Sequence, residues 1–178
     1  KEMKIYVSFK NLFSVNKINV EKIVLNKANF NLNKNNYKFF TNLLKKNLLN
    51  FDFEINNSSI IFNNIENDVL FINKINQSKY FFDLKDKKNT LLTKNEIFNI
   101  PYSVELKNYP DKKKIISKIN FDFLKLQIQN DFTYEKIFRN GLVILDQNKN
   151  KSEISYEIEK NFLNFIFLDK SINKNFNY

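Results

Sequence analysis

Histidine, cysteine and tryptophan are all absent from this 178-residue sequence. Without imidazole there is no Ser-His-Asp or Cys-His arrangement and no histidine general base. Without thiols there are no disulfides, no cysteine nucleophile and no cysteine-based zinc site. Glycine occurs once, at Gly141, which excludes the loops that cradle phosphates and the dinucleotide fingerprint. Arg139 is the lone arginine, and the bidentate reading of guanine and phosphate leans on guanidinium. No apolar run approaches the ~20 residues that cross a bilayer as a helix, and no signal-peptide pattern opens the sequence. Carboxylate, lysine and serine chemistry is what remains.

What is present is apolar and basic. Hydrophobic residues make up 43% of the chain and aromatics 16%, enough for one packed core, so residues 1–178 read as a single β-rich domain. The sequence opens on Lys1, and strand-like patterning runs almost to Tyr178, as expected of a fragment of a longer polypeptide. Lys plus Arg number 29 against 19 Asp plus Glu, a net charge of +10 that suits phosphates or anionic lipid head groups. The lysines are scattered through turns. Their one tight run, Lys112 to Lys114, follows Pro110 and Asp111 and reads as a solvated loop. Asn, Lys, Ile and Phe, which dominate, have AT-rich codons, so genome composition contributes to this bias.

A period of two, the mark of a half-buried strand, runs through most of the chain. It appears at Ile5, Val7 and Phe9, then at Ile18 and Val20, Ile23 and Leu25, and Ala28, Phe30 and Leu32, with two changes of parity that predict turns or bulges. From Asn35 to Leu49 the apolar residues Tyr37, Phe40, Leu44 and Leu48 recur at helical spacing, predicting one amphipathic helix, with Asn33 or Asn35 as its cap. Alternation then returns. Phe51, Phe53 and Ile55, an Asn56-Asn57 turn, and Ile60 and Phe62 predict a hairpin, and Val69 to Ile75 and Tyr80 to Leu84 predict two further strands. The cleanest alternation is Phe98, Ile100, Tyr102, Val104 and Leu106, opposed by Asn99, Pro101, Ser103, Glu105 and Lys107. Ile119, Phe121 and Phe123 switch parity into Leu124, Leu126 and Ile128, as one long bulged strand would. With one glycine, turns must rely on Asn and Asp, which tolerate left-handed backbone. The expected fold class is mostly β (α+β): a curved, mostly antiparallel meander with one amphipathic helix near the N-terminus.

Some stretches approach catalytic or metal motifs. Ser14 to Lys17 matches the S-x-x-K of penicillin-interacting serine enzymes, but its companion elements are missing. Asp146, Asn148, Asn150 and Glu157 occupy the first, third, fifth and twelfth positions of an EF-hand-like loop, yet Lys151 stands where that loop needs glycine, so a polar hairpin turn is the simpler reading. Glu157 and Glu159 share one face of a predicted strand, which reads as a wet face. The chain therefore reads as non-enzymatic, with no metal site and no cofactor.

Leu12-Phe13-Ser14, followed by Ile18, Ile23, Leu25, Ala28 and Phe30 and by Phe39-Phe40 and Leu43-Leu44, resembles bacterial AsmA-like proteins, and so does Glu96 to Tyr102. The scarcity of glycine is a departure from that pattern. The resemblance implies a protein of the periplasmic side of the bacterial inner membrane, held by an anchor outside this segment. Its β-rich body would form an apolar groove associated with lipid movement and outer-membrane assembly, with phospholipid or another envelope lipid as partner and no catalytic residues.

The expected function is thus an envelope module for lipid handling or outer-membrane-assembly scaffolding. The groove candidates are Phe98, Ile100, Tyr102, Val104, Leu106, Phe121, Phe123, Leu126 and Ile128. The alternatives are a purely structural β domain, whose apolar face is simply core, and a basic module for nucleic acid or anionic surfaces, which requires exposed aromatics interleaved with Lys. No nucleic acid partner is expected. Binding to a random DNA duplex at physiological salt, followed by fluorescence anisotropy, should therefore stay in the non-specific range of roughly 10⁻⁴ to 10⁻⁶ M. Sub-micromolar, sequence-dependent binding would establish the nucleic-acid alternative.

Overall fold

The computed structural model describes residues 1–8, 19–36, 52–134, 138–148, 150–159 and 162–169. They are mostly strand, in two compact units, Lys1–Pro101 and Tyr102–Tyr178. The first holds β1 (Glu2–Val7), β2 (Val20–Asn26), β3 (Asn29–Leu32), β4 (Asp52–Asn63), β5 (Val69–Asp83) and β6 (Lys88–Ile97). The second holds β8 (Lys114–Phe121), β9 (Leu126–Tyr134), β10 (Phe138–Gln147), β11 (Asn150–Glu159) and β12 (Phe162–Asp169), together with all but the first two residues of β7 (Ile100–Tyr109). No α-helix occurs among the described residues.

In the first unit β1 lies antiparallel to β2, β5 is antiparallel to both β4 and β6, and β2 and β3 both run parallel to β4. β2 and β3 are in effect one strand kinked at Lys27–Ala28, matched across the ladder by a kink at Asn57–Ser58. Lys27 (φ 54°) and Asn57 (φ 48°) are both left-handed. Ser58 staples the two kinks. Its buried hydroxyl accepts the Ala28 N–H at 3.0 Å and donates to the Asn56 carbonyl at 2.8 Å. Both parity changes expected between Val20 and Leu32 are thus present. The first coincides with the register shift opposite Tyr6 and Val7, the second with the Lys27–Ala28 kink.

Several expected boundaries are corrected. The Asn56-Asn57 turn is not a hairpin, because the Ser58 bonds carry the backbone through the kink and β4 runs on to Asn63. The two strands expected between Val69 and Leu84 are one, β5, in which a bulge at Asn76 resets the alternation between Ile75 and Gln77. Polar β6, with little alternation to announce it, was not expected. Phe98 and Asn99 do not open the strand of Tyr102. Both have positive φ (51° and 62°), the signature of a type I′ turn, and β7 starts at Ile100. The bulge expected between Phe121 and Leu126 is a full chain reversal: Asp122–Leu124 form a single 3₁₀ turn, Lys125 is left-handed, and its N–H returns to the Asp122 carbonyl at 3.1 Å. Pro110–Lys112 and Lys113 repeat that turn between β7 and β8. Left-handed turn positions are thus held by Asn and Lys, with Phe98 as the exception, and not by Asp.

The helix expected from Asn35 to Leu49 lies, beyond Asn36, outside the described residues. At its expected start, Asn33 Oδ1 accepts the N–H groups of Asn35 and Asn36 at 2.9 and 3.1 Å, and Asn36 Oδ1 accepts the Asn33 N–H at 2.9 Å. These bonds close a turn at residues 34–36.

The second unit is a meander in which each strand pairs antiparallel with its sequence neighbours, without a register shift. The sole glycine has a packing role there. A Cβ at Gly141 would clash with the ring of Tyr156, its cross-strand partner. The Tyr156 ring covers the glycine, stacks near Phe132 (centroids 6.3 Å apart) and donates its hydroxyl to Asn130 Oδ1 at 3.0 Å. Gly141→Ala should displace that ring and cost about 1 kcal/mol, the worth of one hydrogen bond plus part of an aromatic contact. In a Tyr156→Ala background the same change should be neutral or stabilising, because the space is vacant. Thermal melts of the four proteins in this cycle test the assignment.

Candidate functional site

Register decides which side chains share a face, because opposite residues in a ladder point the same way. In the second unit Val104, Ile119, Ile128 and Leu145 form one row across four strands. A second row runs Ile115, Phe132, Gly141, Tyr156 and Phe165. Tyr102 stacks on Phe121 at 5.2 Å, and Phe121 faces Leu126. The reverse face carries Ser103, Asn120, Gln127, Asp146 and Lys151 in one row and Glu105, Lys118, Gln129 and Glu153 within another.

Tyr102, Val104, Leu106, Phe121, Leu126 and Ile128 thus fall on the apolar face of the second unit, whereas Ile100 lies in the first unit. Phe98 and Phe123 do not belong to it. Phe98 belongs to the first unit, where it sits in the turn before β7, 74% exposed, with its ring 6.4 Å from that of Phe71, and Phe123 rides the 3₁₀ turn at 79% exposure. Sequence reasoning missed Phe132, Leu145, Tyr156, Phe165 and Phe167. β10 and β12 carry contiguous apolar runs, Leu142 to Leu145 and Phe165 to Leu168, that do not alternate, and only inter-strand register joins one strand's apolar side to the next.

This face is not sealed. Every apolar side chain described in the second unit is half-buried or exposed, and Leu163, Phe165 and Phe167 on β12 are more than half exposed. The buried exception in that unit is polar. Asn108 is 5% exposed, and its Oδ1 has no hydrogen-bond partner among the described residues.

The first unit divides similarly. Ile5, Ile23, Phe53, Tyr80 and Leu91 form one row, while Lys22 pairs with Glu54 at 2.8 Å and Lys79 with Asp52 at 3.4 Å on the reverse side. Val24, Ile75 and Tyr80 are its buried apolar residues. At the β5–β6 turn Lys88 binds Asp86 and, at 3.2 Å, Asp83. The Asp86 N–H and the Lys88 ammonium hold the Asp83 carboxyl below its ordinary pKa.

Among the described residues no cluster of acidic side chains could hold a metal ion, and no helix is long and apolar enough to cross a membrane. Asp146 and Glu157 do not converge as a calcium loop requires. Asp146 lies opposite Lys151 beside the β10–β11 turn, whereas Glu157 lies farther along β11 opposite Asn140, roughly 20 Å away at ~3.4 Å per residue. Ser14 and Lys17 lie outside the described residues. Comparison with protein-family models, curated proteins and solved structures gives no match.

Burial pushes the Tyr80 phenol up to about 12. The fold thus favours its neutral form, and that contribution to stability is complete below the unfolded value of about 10 and is lost as pH rises toward 12. Phenolate absorbance against pH should show a late step near 12 from Tyr80. Tyr80→Phe should remove that late step.

Proposed function

We propose that this chain is a non-enzymatic module of the bacterial cell envelope, on the periplasmic side of the inner membrane, whose apolar sheet face holds the acyl chains of a phospholipid or similar envelope lipid. The observation that carries the reading is the continuous apolar face of the second unit with no sealed apolar residue. Full burial of a large aliphatic or aromatic side chain yields ~1.5–3 kcal/mol, so half-exposed rows leave part of that free energy for a bound acyl chain. The reverse face is the more polar one, though Ile116, Leu142, Ile144 and Ile166 also lie on it, and curvature of the sheet would turn the greasier side into a groove. The resemblance of Leu12 to Leu44 and of Glu96 to Tyr102 to AsmA-like proteins supports the same role in lipid movement or outer-membrane assembly, with attachment to the membrane through a segment outside this sequence.

Val104 and Ser103 separate this reading from that of a plain structural domain. Val104 is half-buried in the row of Ile119 and Ile128, and Ser103 lies in the row of Asn120 and Gln127. On an open face, the lysine of Val104→Lys extends its head to water along the wall, and the protein stays folded while co-purifying lipid falls. In a sealed core the same change buries an unpaired charge and unfolds the chain. Ser103→Lys should alter neither property. Thermal melts and mass spectrometry of organic extracts supply both readouts. Unfolding of Val104→Lys, or unchanged lipid in the folded variant, overturns the lipid reading.

A further inference from the structure

Along β7 to β11 the apolar face of the second unit carries a single charge. Arg139 on β10, the sole arginine of the chain, stands opposite Tyr134 on β9 and Ile158 on β11 and so shares their side of the sheet. The other positions of that face on these strands are uncharged within the unit, whereas the reverse face holds Glu105, Lys118, Asp131, Asp146, Lys151 and Glu153. A cation among apolar side chains is tolerated only where its head reaches water or an anion. Arg139 is exposed, and neither ladder neighbour on its face carries an opposite charge.

Arg139 also stands at one end of the apolar rows. Phe132, Gly141 and Tyr156 lie in the next row inward, then Val143 and Ile154 beside Asn130, then Ile128 and Leu145. From Arg139 to Leu145 the strand advances six residues, roughly 20 Å at ~3.4 Å per residue. An acyl chain of one leaflet spans about half of a ~30 Å hydrocarbon core. Such a chain fits between Arg139 and the polar pair of Gln147 and Asn150, which lies one row beyond Leu145.

We infer that Arg139 binds the phosphate of a phospholipid head group and so sets the direction of the lipid, with its head beside Tyr134 and its acyl chains running toward Leu145. The inference rests on the reading of this face as an acyl-chain surface and adds to it the class of head group and the end at which it sits. Guanidinium suits that place better than ammonium. Its planar fork meets two phosphate oxygens at once, and its weaker hydration lowers the cost of standing beside aromatic and aliphatic groups. Lysine is the usual cation of this chain, yet none occupies the face on these strands.

The test compares two probes, pyrene-labelled phosphatidylglycerol and pyrene-labelled diacylglycerol of the same chain length, each delivered from cyclodextrin and followed by fluorescence titration. The parent should bind the phospholipid about tenfold tighter, the worth of a charge-assisted hydrogen bond, and this comparison needs no mutation. Arg139→Gln should abolish the difference by weakening phosphatidylglycerol alone, and Arg139→Lys should restore only part of it. Lys118→Gln, which removes the same charge from the reverse face, should leave both affinities unchanged. Because Arg139 is exposed, circular dichroism of its variants should match the parent. Equal affinity of the parent for the two probes overturns the inference and leaves the acyl-chain reading standing. So does an Arg139→Gln variant that keeps its preference or weakens both probes alike, or a Lys118→Gln variant that loses as much. Inorganic phosphate that displaces phosphatidylglycerol at equal concentration assigns the arginine to free phosphate and overturns it too. A parent that binds neither probe overturns both readings together.

Discussion

The antiparallel hydrogen-bonded ladder carries this structure, because little of its apolar surface is sealed. Val24, Ile75 and Tyr80 are the buried apolar residues described, all in the first unit. Stability therefore rests on backbone pairing and on cross-strand side-chain pairs, each contributing roughly 0.2–1 kcal/mol. Phe62 on Phe71, with centroids 4.2 Å apart, Tyr102 on Phe121, and Tyr156 over Gly141 are such pairs. Ion pairs such as Lys22–Glu54 and Lys74–Glu96 on the reverse side add register more than energy, since they are partly exposed and screened. Buried polar groups take part as well. Ser58 keeps two kinked parallel strands in step by serving as donor and acceptor at once.

A ladder needs reversals, and every tight one among the described residues is made without glycine. Lys113 and Lys125 take the left-handed position after their 3₁₀ turns, and Asn148 takes it after β10. A left-handed conformation costs a residue with a Cβ roughly 1–2 kcal/mol, a cost the flanking hydrogen-bonded strands offset. This placement also accounts for the scattered lysines: several occupy turns, at the ends of strands, and so leave the middle of the apolar face uncharged.

In the second unit β7 was legible in the sequence because period-two alternation is a local property, whereas β8 and β9 read as one bulged strand. The same alternation puts Tyr102, Val104 and Leu106 on one side of β7. What alternation could not reveal was continuity. Asn57 looks like a hairpin turn, and only the long-range bond from Ala28 to Ser58 shows that the strand passes through it. The bulge at Asn76 resets parity inside one strand and imitates a boundary. Phe98 misled in the opposite direction, since an aromatic at positive φ is rare and its spacing matches that of the strand it precedes. The parallel pairing of β2 and β3 with β4, and the joining of Phe132, Leu145, Tyr156 and Phe165 into the apolar face, depend on register between strands distant in sequence, which no single segment encodes.

In the meander from β7 to β12, every strand touches only its chain neighbours. Adding or deleting one hairpin there would change the sheet by two strands, restore the direction of the chain, and leave which side is apolar unaltered for all the others. Length is then an adjustable variable of evolution, decoupled from register and from face. A sheet with a central, sealed core lacks that freedom, because each insertion would have to be accommodated by every layer packed against it.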